Sequence, residues 1–455
     1  MPRITAFAAS TPQKATSVKR KVIFPMEKVK IGVLGAGRGD MMIKYCTHAN
    51  NAELVAVCDF NDYFLSRAKA RINSDSVTYY TDFEDFIQHD MDAVVLANYA
   101  TDHVPFAIRC LEAGKHVMSE VLPCQTLKEA VELVEAVEKS NKIYAYAENY
   151  CFMPCTREMR RLYREGKLGE FEYGEGEYLH NCESVWYEIT QGNPNHWRNQ
   201  MHGTFYCTHS IGPLVHITGL RPVEVTGFEM PYNARQARMG ARFGLSALEI
   251  LKMENGAYAK SVHGSGISKN SIWYSIYGPM GRLESAREDV KNGKMKVLYT
   301  NLDTYEGENN REDYVKCYEP RDELSEAAES YGHGGSDYYS MWNFVEKIRG
   351  KEDADTIDVY EALDMGLPGL FAYQSILMGN VPVKIPDFRN KLVREQYRYD
   401  TTCTNPEKAG DMWIPSYSQG EPIVPDEVYE AAREKWDKKV ANELANGFGV
   451  TKSHI

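Results

Sequence analysis

Three side chains, Glu148, Tyr206 and His209, are of the types that move protons in enzymes. Tyr206 and His209 stand three residues apart in YCTH, so they share one face if this segment forms a helical turn. Near pH 7 a histidine can take up a proton, and a tyrosine or glutamate can polarise a hydroxyl or return the proton. Glu148 follows the apolar strand pattern IYAYA, and ligands of doubly wound folds bind at that edge of the sheet. The three residues predict acid–base chemistry there.

Simpler interpretations exist for these side chains. A glutamate at a strand end is often solvated or caps a helix, and histidines can be packing or surface residues. Several histidines in this region could also suggest a metal site, since histidine is the commonest ligand. Their spacing, however, matches no compact ligand motif, so we predict no metal. The histidines concerned are His196, His202, His209 and His216.

A glycine turn, GAGRGD, joins the first strand pattern to a helix pattern. Compared with the full GxGxxG fingerprint, the third glycine comes one residue early, at Gly39. Gly35 would allow the tight turn, and Gly37 would let a pyrophosphate approach the backbone at the helix N-terminus. An ordinary strand-to-helix turn is the alternative, but this context favours a dinucleotide site.

Asp59 ends the second strand pattern. A carboxylate there accepts hydrogen bonds from both adenosine ribose hydroxyls and repels a 2′-phosphate. It could instead cap the helix that starts near Asn61. We predict NAD as the cofactor, and we assign Arg38 of the glycine turn and Asn98 at the end of DAVVLAN to the same site.

The elements that position these residues can be read from the hydrophobic pattern. From Val29 onward, short apolar runs (VKIGVLGAG, ELVAVCD, DAVVLAN, KHVMSE) alternate with amphipathic helix patterns such as NDYFLSRAKARI and TLKEAVELVEAVEKSN. Strands that alternate with helices indicate a parallel sheet in a doubly wound α/β fold. We predict an N-terminal Rossmann domain over residues 29–150.

The stretch GKHVMSEVLP, residues 114–123, resembles G-K-H-V-x-x-E-K-P of the Gfo/Idh/MocA sugar dehydrogenases. Glu120 matches the glutamate of that motif, and His103 matches the family's histidine after the fourth strand; the resemblance implies that both lie at the cofactor. Val121 stands where the family has a lysine that works at the substrate hydroxyl. The resemblance runs from about residue 29 to residue 390. It implies that residues 151–390 form a substrate-binding α/β domain with an open mixed β-sheet, which often makes the oligomer interface.

This sequence resembles one branch of that family more than it resembles the sugar dehydrogenases. The branch is that of the NAD-dependent glycosidases typified by bacterial α-N-acetylgalactosaminidases. It also lacks the lysine and reads E-V-P. Segments that resemble this branch follow in the same order: ENY (148–150), YLH (178–180), YCTHSIGP (206–213), GHGGSD (332–337) and IPDF (385–388). The departures are Leu122 before Pro123, Cys207 for proline and Ser210 for glycine.

By this resemblance, Glu148, Tyr206 and His209 act on the sugar ring, and Tyr178, His180 and His333 bind the substrate. Trp197 and Arg198 belong to WYEITQGNPNHWRN, which looks like a sugar-facing loop. Aromatic rings stack on the apolar face of a pyranose as on other flat apolar surfaces. The same loop could instead pack against a neighbouring subunit.

The missing lysine requires another base, and His209 with Tyr206 beside it is the candidate. Hydride leaving ring carbon 3 gives a ketone, which makes the proton on carbon 2 acidic. A second base, Glu148 or His209, can remove that proton, and the group on carbon 1 can then be eliminated. Three functions stay open: a carbon-3 oxidoreductase acting on a sugar or glycoside, a redox-neutral glycosidase, and a non-catalytic NAD-binding sensor.

Composition limits the classes of partner that the protein can bind and indicates its cellular compartment. The net charge of −12 disfavours nucleic acid and anionic membranes. No apolar run reaches the roughly 20 residues that span a bilayer, and the N-terminus lacks a secretory leader. Ten scattered cysteines without a CxxC favour a reducing cytoplasm. The resemblance implies a homo-oligomer.

The two ends of the chain lie outside the resemblance. We predict a basic, partly flexible arm over residues 1–28 and a C-terminal extension over residues 391–455 for packing or oligomerisation. Its helix pattern, PDEVYEAAREKWDKKVANELANG, could pack on its own chain or clasp a neighbour. The apolar stripe expected on this helix is Val428, Ala431, Trp436, Val440 and Leu444.

Overall fold

The computed structural model describes residues 27–287, 297–301 and 314–448. The predicted N-terminal arm therefore lies almost wholly outside the described residues. The first sheet consists of six strands in the described part: β1 (Val29–Leu34), β2 (Ala52–Cys58), β3 (Thr78–Tyr80), β4 (Ala93–Leu96), β5 (His116–Ser119) and β6 (Tyr144–Tyr146).

The strands of this sheet are all parallel and lie in the order β3-β2-β1-β4-β5-β6. This order defines a Rossmann fold, in which the order reverses between β1 and β4 and leaves a crevice at the carboxyl ends of the strands. The predicted first fold is therefore confirmed. The helices between the strands are α1 (Asp40–His48), α2 (Asp62–Ile72), α3 (Phe83–Ile87), α4 (His103–Glu112) and α5 (Leu127–Lys139).

A second sheet is mixed, as predicted: β7 and β10 run parallel, and its other neighbouring strands are antiparallel. Among the described residues its order is β14-β13-β12-β11-β7-β10-β9-β8-β15. The strands are β7 (Tyr173–Leu179), β8 (Pro222–Glu229), β9 (Ala247–Met253), β10 (Tyr258–Gly264), β11 (Ser271–Gly278), β12 (Gly281–Ser285), β13 (Val297–Asn301), β14 (Tyr314–Tyr318) and β15 (Val383–Lys384).

Helices cover one face of the second sheet. Burial alternates along β9 and β10 with a period of two, because successive side chains of a strand point to opposite faces. The helices that follow α5 before the C-terminal extension are α6 (Pro154–Arg164), α7 (Trp186–Thr190), α8 (Trp197–Gln200), α9 (Thr208–Thr218), α10 (Ala234–Met239), α11 (Ser325–Ala328), α12 (Ser336–Ile348) and α13 (Val359–Leu377).

Two of these helices join the sheets. Helix α9 packs between β7 and the 3-10 turn Asn149–Phe152 that follows β6. Helix α12 packs back on α1, and its Met341 and Phe344 belong to the apolar core on that side of the Rossmann sheet. Residues from both domains are therefore held against the crevice.

The C-terminal extension packs on its own chain through ion pairs. Arg394 makes a two-pronged contact with Glu138 of α5, at 2.7 and 2.5 Å. Arg398 contacts Glu135 of the same helix in the same way, at 3.0 and 2.5 Å. The helices of the extension are α14 (Lys391–Arg394), α15 (Pro406–Ala409) and α16 (Asp426–Asn446).

Helix α16 differs from the predicted apolar stripe. Trp436 is buried against Tyr63 and Phe64 of α2, but Leu444 is 57% exposed and Ala431 is also exposed. Tyr429 is the other buried residue of this helix, and Val428 and Val440 are half-buried. Polar contacts also hold the helix, because Tyr63 donates to Glu443 and Arg433 donates to the Gly192 carbonyl oxygen. A continuous apolar stripe along α16 is not needed when single aromatic residues make the buried contacts. Within the described residues, no helix is long and apolar enough to cross a membrane.

Candidate active site

The carboxyl ends of the central Rossmann strands bring the cofactor residues together. Gly35 follows β1, Asn98 follows β4, Glu120 follows β5 and Glu148 follows β6. Parallel strands end at one edge of the sheet, so these positions line one crevice. The second domain supplies the opposite wall, from the end of β7, the start of α9 and the turn His333–Gly335.

Glu148 and His209 form a buried pair at the centre of this crevice. His209 Nδ1 lies 2.6 Å from Glu148 Oε1, and the exposed fraction of the Glu148 side chain is 0%. The backbone N–H of Tyr150 donates to the same oxygen at 3.2 Å. An Nδ1–H that donates to the carboxylate leaves Nε2 as the proton acceptor.

The environment keeps this imidazole neutral. Burial lowers the pKa of His209 below its ordinary value, although the Glu148 carboxylate opposes this. Close packing of α9 brings the two side chains together, since a Cβ added at Gly212 would lie 2.9 Å from Glu148 Cγ. The pair is therefore suited to accept a proton near neutral pH.

Tyr206 lies beside His209 but in the turn before α9, not within the helix. The two rings meet edge to face, with centroids 5.0 Å apart. Arg198 donates from Nη2 to the Tyr206 hydroxyl at 3.2 Å, and its guanidinium stacks 4.5 Å from the Trp197 ring. This hydrogen bond fixes the position of the Tyr206 hydroxyl beside the imidazole.

Aromatic rings surround the His209 imidazole. Tyr150 lies 4.3 Å from it and Tyr178 lies 4.6 Å from it, centroid to centroid. Tyr178 also contacts His180, at 6.0 Å. The sequence motif ENY contains Tyr150, but sequence reasoning did not assign it to the site. Together the rings give the pocket flat apolar walls of the kind that pyranoses stack on.

Arg38 and Glu120 are adjacent to this pocket on the cofactor side. Arg38 Nη2 lies 2.8 Å from Glu120 Oε1 and 3.9 Å from Asp337 Oδ1. Burial raises the pKa of Glu120 to about 7, although Arg38 opposes the shift. Val121 next to Glu120 is an aliphatic side chain in the core and cannot exchange protons.

Asp337 and Asn149 were missed by sequence reasoning. Asn149 Nδ2 donates to Asp337 Oδ1 at 3.0 Å, and His333 Nδ1 lies 2.9 Å from Asp337 Oδ2. The spacing of His and Asp in GHGGSD was a usable signal, because residues four apart meet at a helix N-terminus.

The glycine turn has the geometry that a dinucleotide needs. Gly35 has φ +97°, and an added Cβ would lie 2.4 Å from the backbone of Ala97. A Cβ on Gly39 would lie 2.5 Å from the Gly35 carbonyl oxygen. The third glycine is therefore required at position 39, where it allows the helix to pack on the strand. A Cβ on Gly37 would meet the Phe64 ring first, at 3.4 Å.

Asp59 and Asn98 complete the cofactor edge. The Asp59 carboxylate accepts hydrogen bonds from Ala36 N at 2.7 Å and Asn61 N at 2.9 Å. Asn61, whose side chain accepts from Tyr63 N, is the cap of α2. The buried Asn98 Oδ1 has no hydrogen-bond partner among the described residues, so it is available to a ligand. These residues fit an NAD molecule.

His103 is buried behind this edge. Its Nδ1 lies 3.1 Å from the Leu122 carbonyl oxygen, and its Nε2 lies 3.3 Å from that of Asn98. Burial lowers the pKa of His103 to about 4, so the ring is neutral. The imidazole joins the ends of β4 and β5, and its contact with the cofactor stays a prediction.

The remaining histidines of the cluster have separate surroundings. His196 stacks on Trp197, His202 stacks on Tyr373, and His216 Nδ1 lies 2.6 Å from Glu361. Over the described ranges, no group of three or more metal-ligating side chains is arranged to hold an ion.

Comparison with protein families matches two parts of the chain. Residues 29–148 match the oxidoreductase family with an NAD-binding Rossmann fold, Gfo/Idh/MocA. Residues 289–394 match the C-terminal domain of glycosyl hydrolase 109. A protein of Shewanella putrefaciens named glycosyl hydrolase family 109 protein is 26% identical over 419 residues, which are 84% of this chain and 89% of that protein.

Solved structures share the fold. Myo-inositol 2-dehydrogenase from Lactobacillus plantarum is 20% identical with a TM-score of 0.61, over 79% of this chain and 100% of that one. Levoglucosan dehydrogenase in complex with NADH and L-sorbose is 16% identical with a TM-score of 0.64, over 80% and 100%.

The fold and the crevice thus define an NAD-binding protein built like the sugar and polyol dehydrogenases. Residues 29–148 match a Gfo/Idh/MocA Rossmann domain, and residues 289–394 match a glycosyl hydrolase 109 C-terminal domain. This confirms the resemblance found in the sequence.

Proposed function

We propose that the protein is an NAD-dependent oxidoreductase that removes hydride from ring carbon 3 of a glycoside and, in the same site, cleaves the glycosidic bond without net redox change. The observation that carries the proposal is the His209–Glu148 pair, buried at 2.6 Å on the cofactor crevice. It provides the base that Val121 cannot provide.

Each residue of the site has a chemical role that follows from its position. When bound, NAD⁺ supplies the acceptor for the hydride of ring carbon 3. His209 Nε2 takes the proton of the carbon-3 hydroxyl, while Glu148 holds the imidazole in the right tautomer. The Tyr206 hydroxyl, held by Arg198, polarises the same oxygen.

Carbon 2 becomes acidic once carbon 3 is a ketone, because the carbanion is delocalised as an enolate. The Glu148–His209 pair lies within the same pocket. After it has released the hydroxyl proton to water, His209 Nε2 removes the carbon-2 proton. The group on carbon 1 then leaves, and water adds its hydroxyl to carbon 1 and a proton to carbon 2. The bound cofactor would supply the hydride that returns carbon 3 to an alcohol, which completes a hydrolysis. Tyr178, His180 and His333 line the substrate side, with Trp197 and Arg198 at its rim.

The glycosyl hydrolase 109 domain favours cleavage as the outcome. A carbon-3 dehydrogenase that releases the keto sugar is the second candidate, and the likeness to levoglucosan and inositol dehydrogenases supports it. A sensor without catalysis is disfavoured because a carboxylate and an imidazole buried together are costly to keep without a use.

A glycoside with deuterium at carbon 3 tests the first step. We expect slower turnover than with the protium substrate and deuterium in the reduced cofactor during a single turnover. Absence of deuterium in the cofactor, with cleavage intact, would contradict the proposal. Dehydrogenase and glycosidase are then distinguished by whether reduced cofactor accumulates.

We also propose a homo-oligomer in a reducing cytoplasm. The face of the second sheet away from its helices carries Leu248, Ile250 and Val262, which are only partly buried, and Phe228, which is 41% exposed. Contiguous apolar surface of this kind commonly marks an interface. Light scattering on the wild-type protein and on Ile250→Lys tests it, since a charge at the centre of that face should dissociate the assembly.

A further inference from the structure

A glutamate is buried in the second sheet, on the face that the helices cover. Glu249 of β9 is fully buried, and neither of its carboxyl oxygens has a hydrogen-bond partner at ordinary distance among the described residues. Its neighbour across the strands is Ser261 of β10. A buried carboxyl group is costly to keep, and an apolar side chain would fill the same space, so its presence requires a reason.

Two helices approach the sheet closely on either side of this glutamate. A Cβ on Gly176 of β7 would overlap the Ser210 carbonyl oxygen of α9, and a Cβ on Gly227 of β8 would overlap the backbone of α13. These two glycines, with Ser261 and Glu249 between them, are paired neighbours across four adjacent strands. Paired residues share one face of a sheet, so the carboxyl group is enclosed by the sheet and the two helices.

A chain of hydroxyl groups connects this place with the first turn of α9. The Ser210 hydroxyl donates to the Cys207 carbonyl oxygen at 2.8 Å, and the hydroxyl oxygens of Ser210 and Ser261 also lie 2.8 Å apart. Each hydroxyl has one proton to donate. Because Ser210 gives its proton to a carbonyl, Ser261 donates to Ser210, and Ser261 is left to accept from the Glu249 carboxyl group. The chain is therefore complete only when Glu249 is protonated.

The surroundings of Glu249 favour its neutral form. Burial raises the pKa of Glu249 to about 8, although the Ser261 hydroxyl opposes this shift. On α9, burial raises the pKa of the Cys207 thiol well above its ordinary value, so the thiol is neutral. On β10, His263 Nδ1 lies 3.5 Å from the Ser261 hydroxyl, and burial lowers the pKa of His263 to about 4, so this ring is neutral too. No charged group of the described chain, on α13 or elsewhere, shifts the pKa of Glu249 further.

The turn that this chain reaches also carries the proposed base. His209 stands between Cys207 and Ser210 in the sequence, and the Tyr274 hydroxyl donates to the His209 carbonyl oxygen. An ionised Glu249 would draw the Ser261 proton to itself, because a carboxylate is the stronger acceptor. Ser261 could then no longer donate to Ser210, so either that contact or the hydrogen bond from Ser210 to the turn would be lost. The backbone that holds His209 would be freer to move.

We propose that Glu249 is a positioning residue, which in its protonated form holds the His209 turn of α9 through Ser261 and Ser210. The inference rests on the proposed function, since it takes His209 as the base. The glycosidase motif has glycine at the position of Ser210, so the hydroxyl that makes the connection is a departure of this chain from that motif.

Infrared difference spectroscopy on the full-length protein with NAD tests the protonation without any substrate. The difference between the wild type and Glu249→Gln separates Glu249 from the other carboxyl groups. At neutral pH this difference should contain the carbonyl stretch of a protonated carboxyl group, and the band should disappear as the pH rises through about 8. Absence of the band at neutral pH would overturn the proposal.

The pH profile of glycoside cleavage tests the connection to His209. In the wild type, kcat should fall about ten- to hundredfold as the pH rises through the pKa of Glu249, because a displaced base is much less effective. Glu249→Gln cannot ionise and keeps an N–H that donates to Ser261, so it should retain most of kcat at neutral pH and lose this alkaline limb. Ser210→Gly breaks the connection, so it should lower kcat at neutral pH. Adding Glu249→Gln to Ser210→Gly should then change nothing further.

The controls separate this inference from the proposed function. Glu254→Gln, exposed just after β9, should keep the alkaline limb of the wild type. An alkaline limb that persists in Glu249→Gln, or an equal effect of that substitution with and without the Ser210 hydroxyl, would overturn the proposal. If Glu249→Gln does not fold, the wild type decides: its protonated-carboxyl band and its kcat must be lost over the same pH range, and different ranges would overturn the proposal too. Cleavage by the wild type without exchange of the carbon-2 proton in heavy water would instead sink the proposed function and leave the infrared band in place.

Discussion

His209 Nδ1 and Glu148 Oε1 meet at 2.6 Å although the residues stand 61 positions apart and follow elements of two different sheets. Glu148 comes from the end of β6 in the Rossmann domain, and His209 comes from α9 on the second sheet. The contact therefore forms only when both domains are folded against each other. Val121, which stands where the sequence motif of the sugar dehydrogenases has a lysine, is a buried aliphatic side chain, so the proposed base comes from this pair instead.

Removal of the proposed base should abolish most of the activity. We expect His209→Gln to lower kcat about 10²- to 10⁴-fold, since that is what a positioned general base contributes. NAD affinity should stay within a few-fold of the wild type, because the proposal assigns the imidazole to the sugar and not to the cofactor. Steady-state kinetics and NAD titration check this, with His48→Gln as the surface control. Unchanged kcat in His209→Gln would exclude His209 as the base.

The pH dependence should report the same pair. Only neutral imidazole accepts a proton, so activity is lost as the pH falls through the pKa of His209, which burial lowers below its ordinary value. The Glu148 carboxylate opposes that shift, so Glu148→Gln should lower the pKa of His209 further. The acid limb of the kcat/KM profile should then move to lower pH, and the maximum of kcat/KM should fall. If the acid limb of Glu148→Gln stays in place or moves to higher pH, Glu148 does not raise the pKa of the group that titrates.

Cofactor choice should depend on Asp59. Asp59→Asn keeps an oxygen that can accept from Ala36 N but loses the charge that binds ribose hydroxyls and repels a 2′-phosphate. We expect NAD to bind roughly 10- to 100-fold more weakly, as charged hydrogen bonds contribute about 1.5–3 kcal/mol, and NADP to bind more tightly. Calorimetric titration with both cofactors measures this. Asp62→Asn, on the exposed start of α2, is the matched control, and an equal change there would refute the assignment.

Trp436 of helix α16 should contribute both to the free energy of unfolding and to cofactor binding. Trp436→Ala should destabilise the fold by about 3–5 kcal/mol, because Trp436 is buried against Tyr63 and Phe64. NAD affinity should also fall, since Phe64 lies against Gly37 of the glycine turn. Leu444→Ala on the exposed face of the same helix should stay within about 0.5 kcal/mol. Urea unfolding followed by circular dichroism measures the first effect; equal midpoints for the two variants would contradict the packing.

Much of the fold could be predicted from the sequence. Apolar runs and a glycine turn in the right context locate β1, β2, β4 and β5, because fully buried parallel strands are nearly continuous in apolar residues. The stripe on α16 could not be found in this way. Among the predicted stripe residues only Trp436 is buried, Val428 and Val440 are half-buried, and Leu444 is exposed. Periodicity does not reveal which single residues will find a partner.

The site was predictable in its centre and not in its surroundings. Glu148, Tyr206 and His209 belong to motifs whose residue types suggest proton transfer, and they do come together. The contact from Asn149 to Asp337 spans 188 positions, and a single sequence contains no sign of such a pairing. The glycine turn likewise does not reveal that the Arg38 guanidinium pairs with Glu120; its assignment to the cofactor stays a prediction.

Mass spectrometry of a glycoside panel incubated with the protein and NAD in heavy water tests the central claim most directly. Oxidation at carbon 3 followed by proton loss at carbon 2 predicts released sugar with one deuterium fixed at carbon 2, and no lasting reduction of the cofactor. Intact glycoside lighter by two hydrogens would mean that the protein is a carbon-3 dehydrogenase. Released sugar without deuterium at carbon 2 would contradict the account, because it would mean direct hydrolysis.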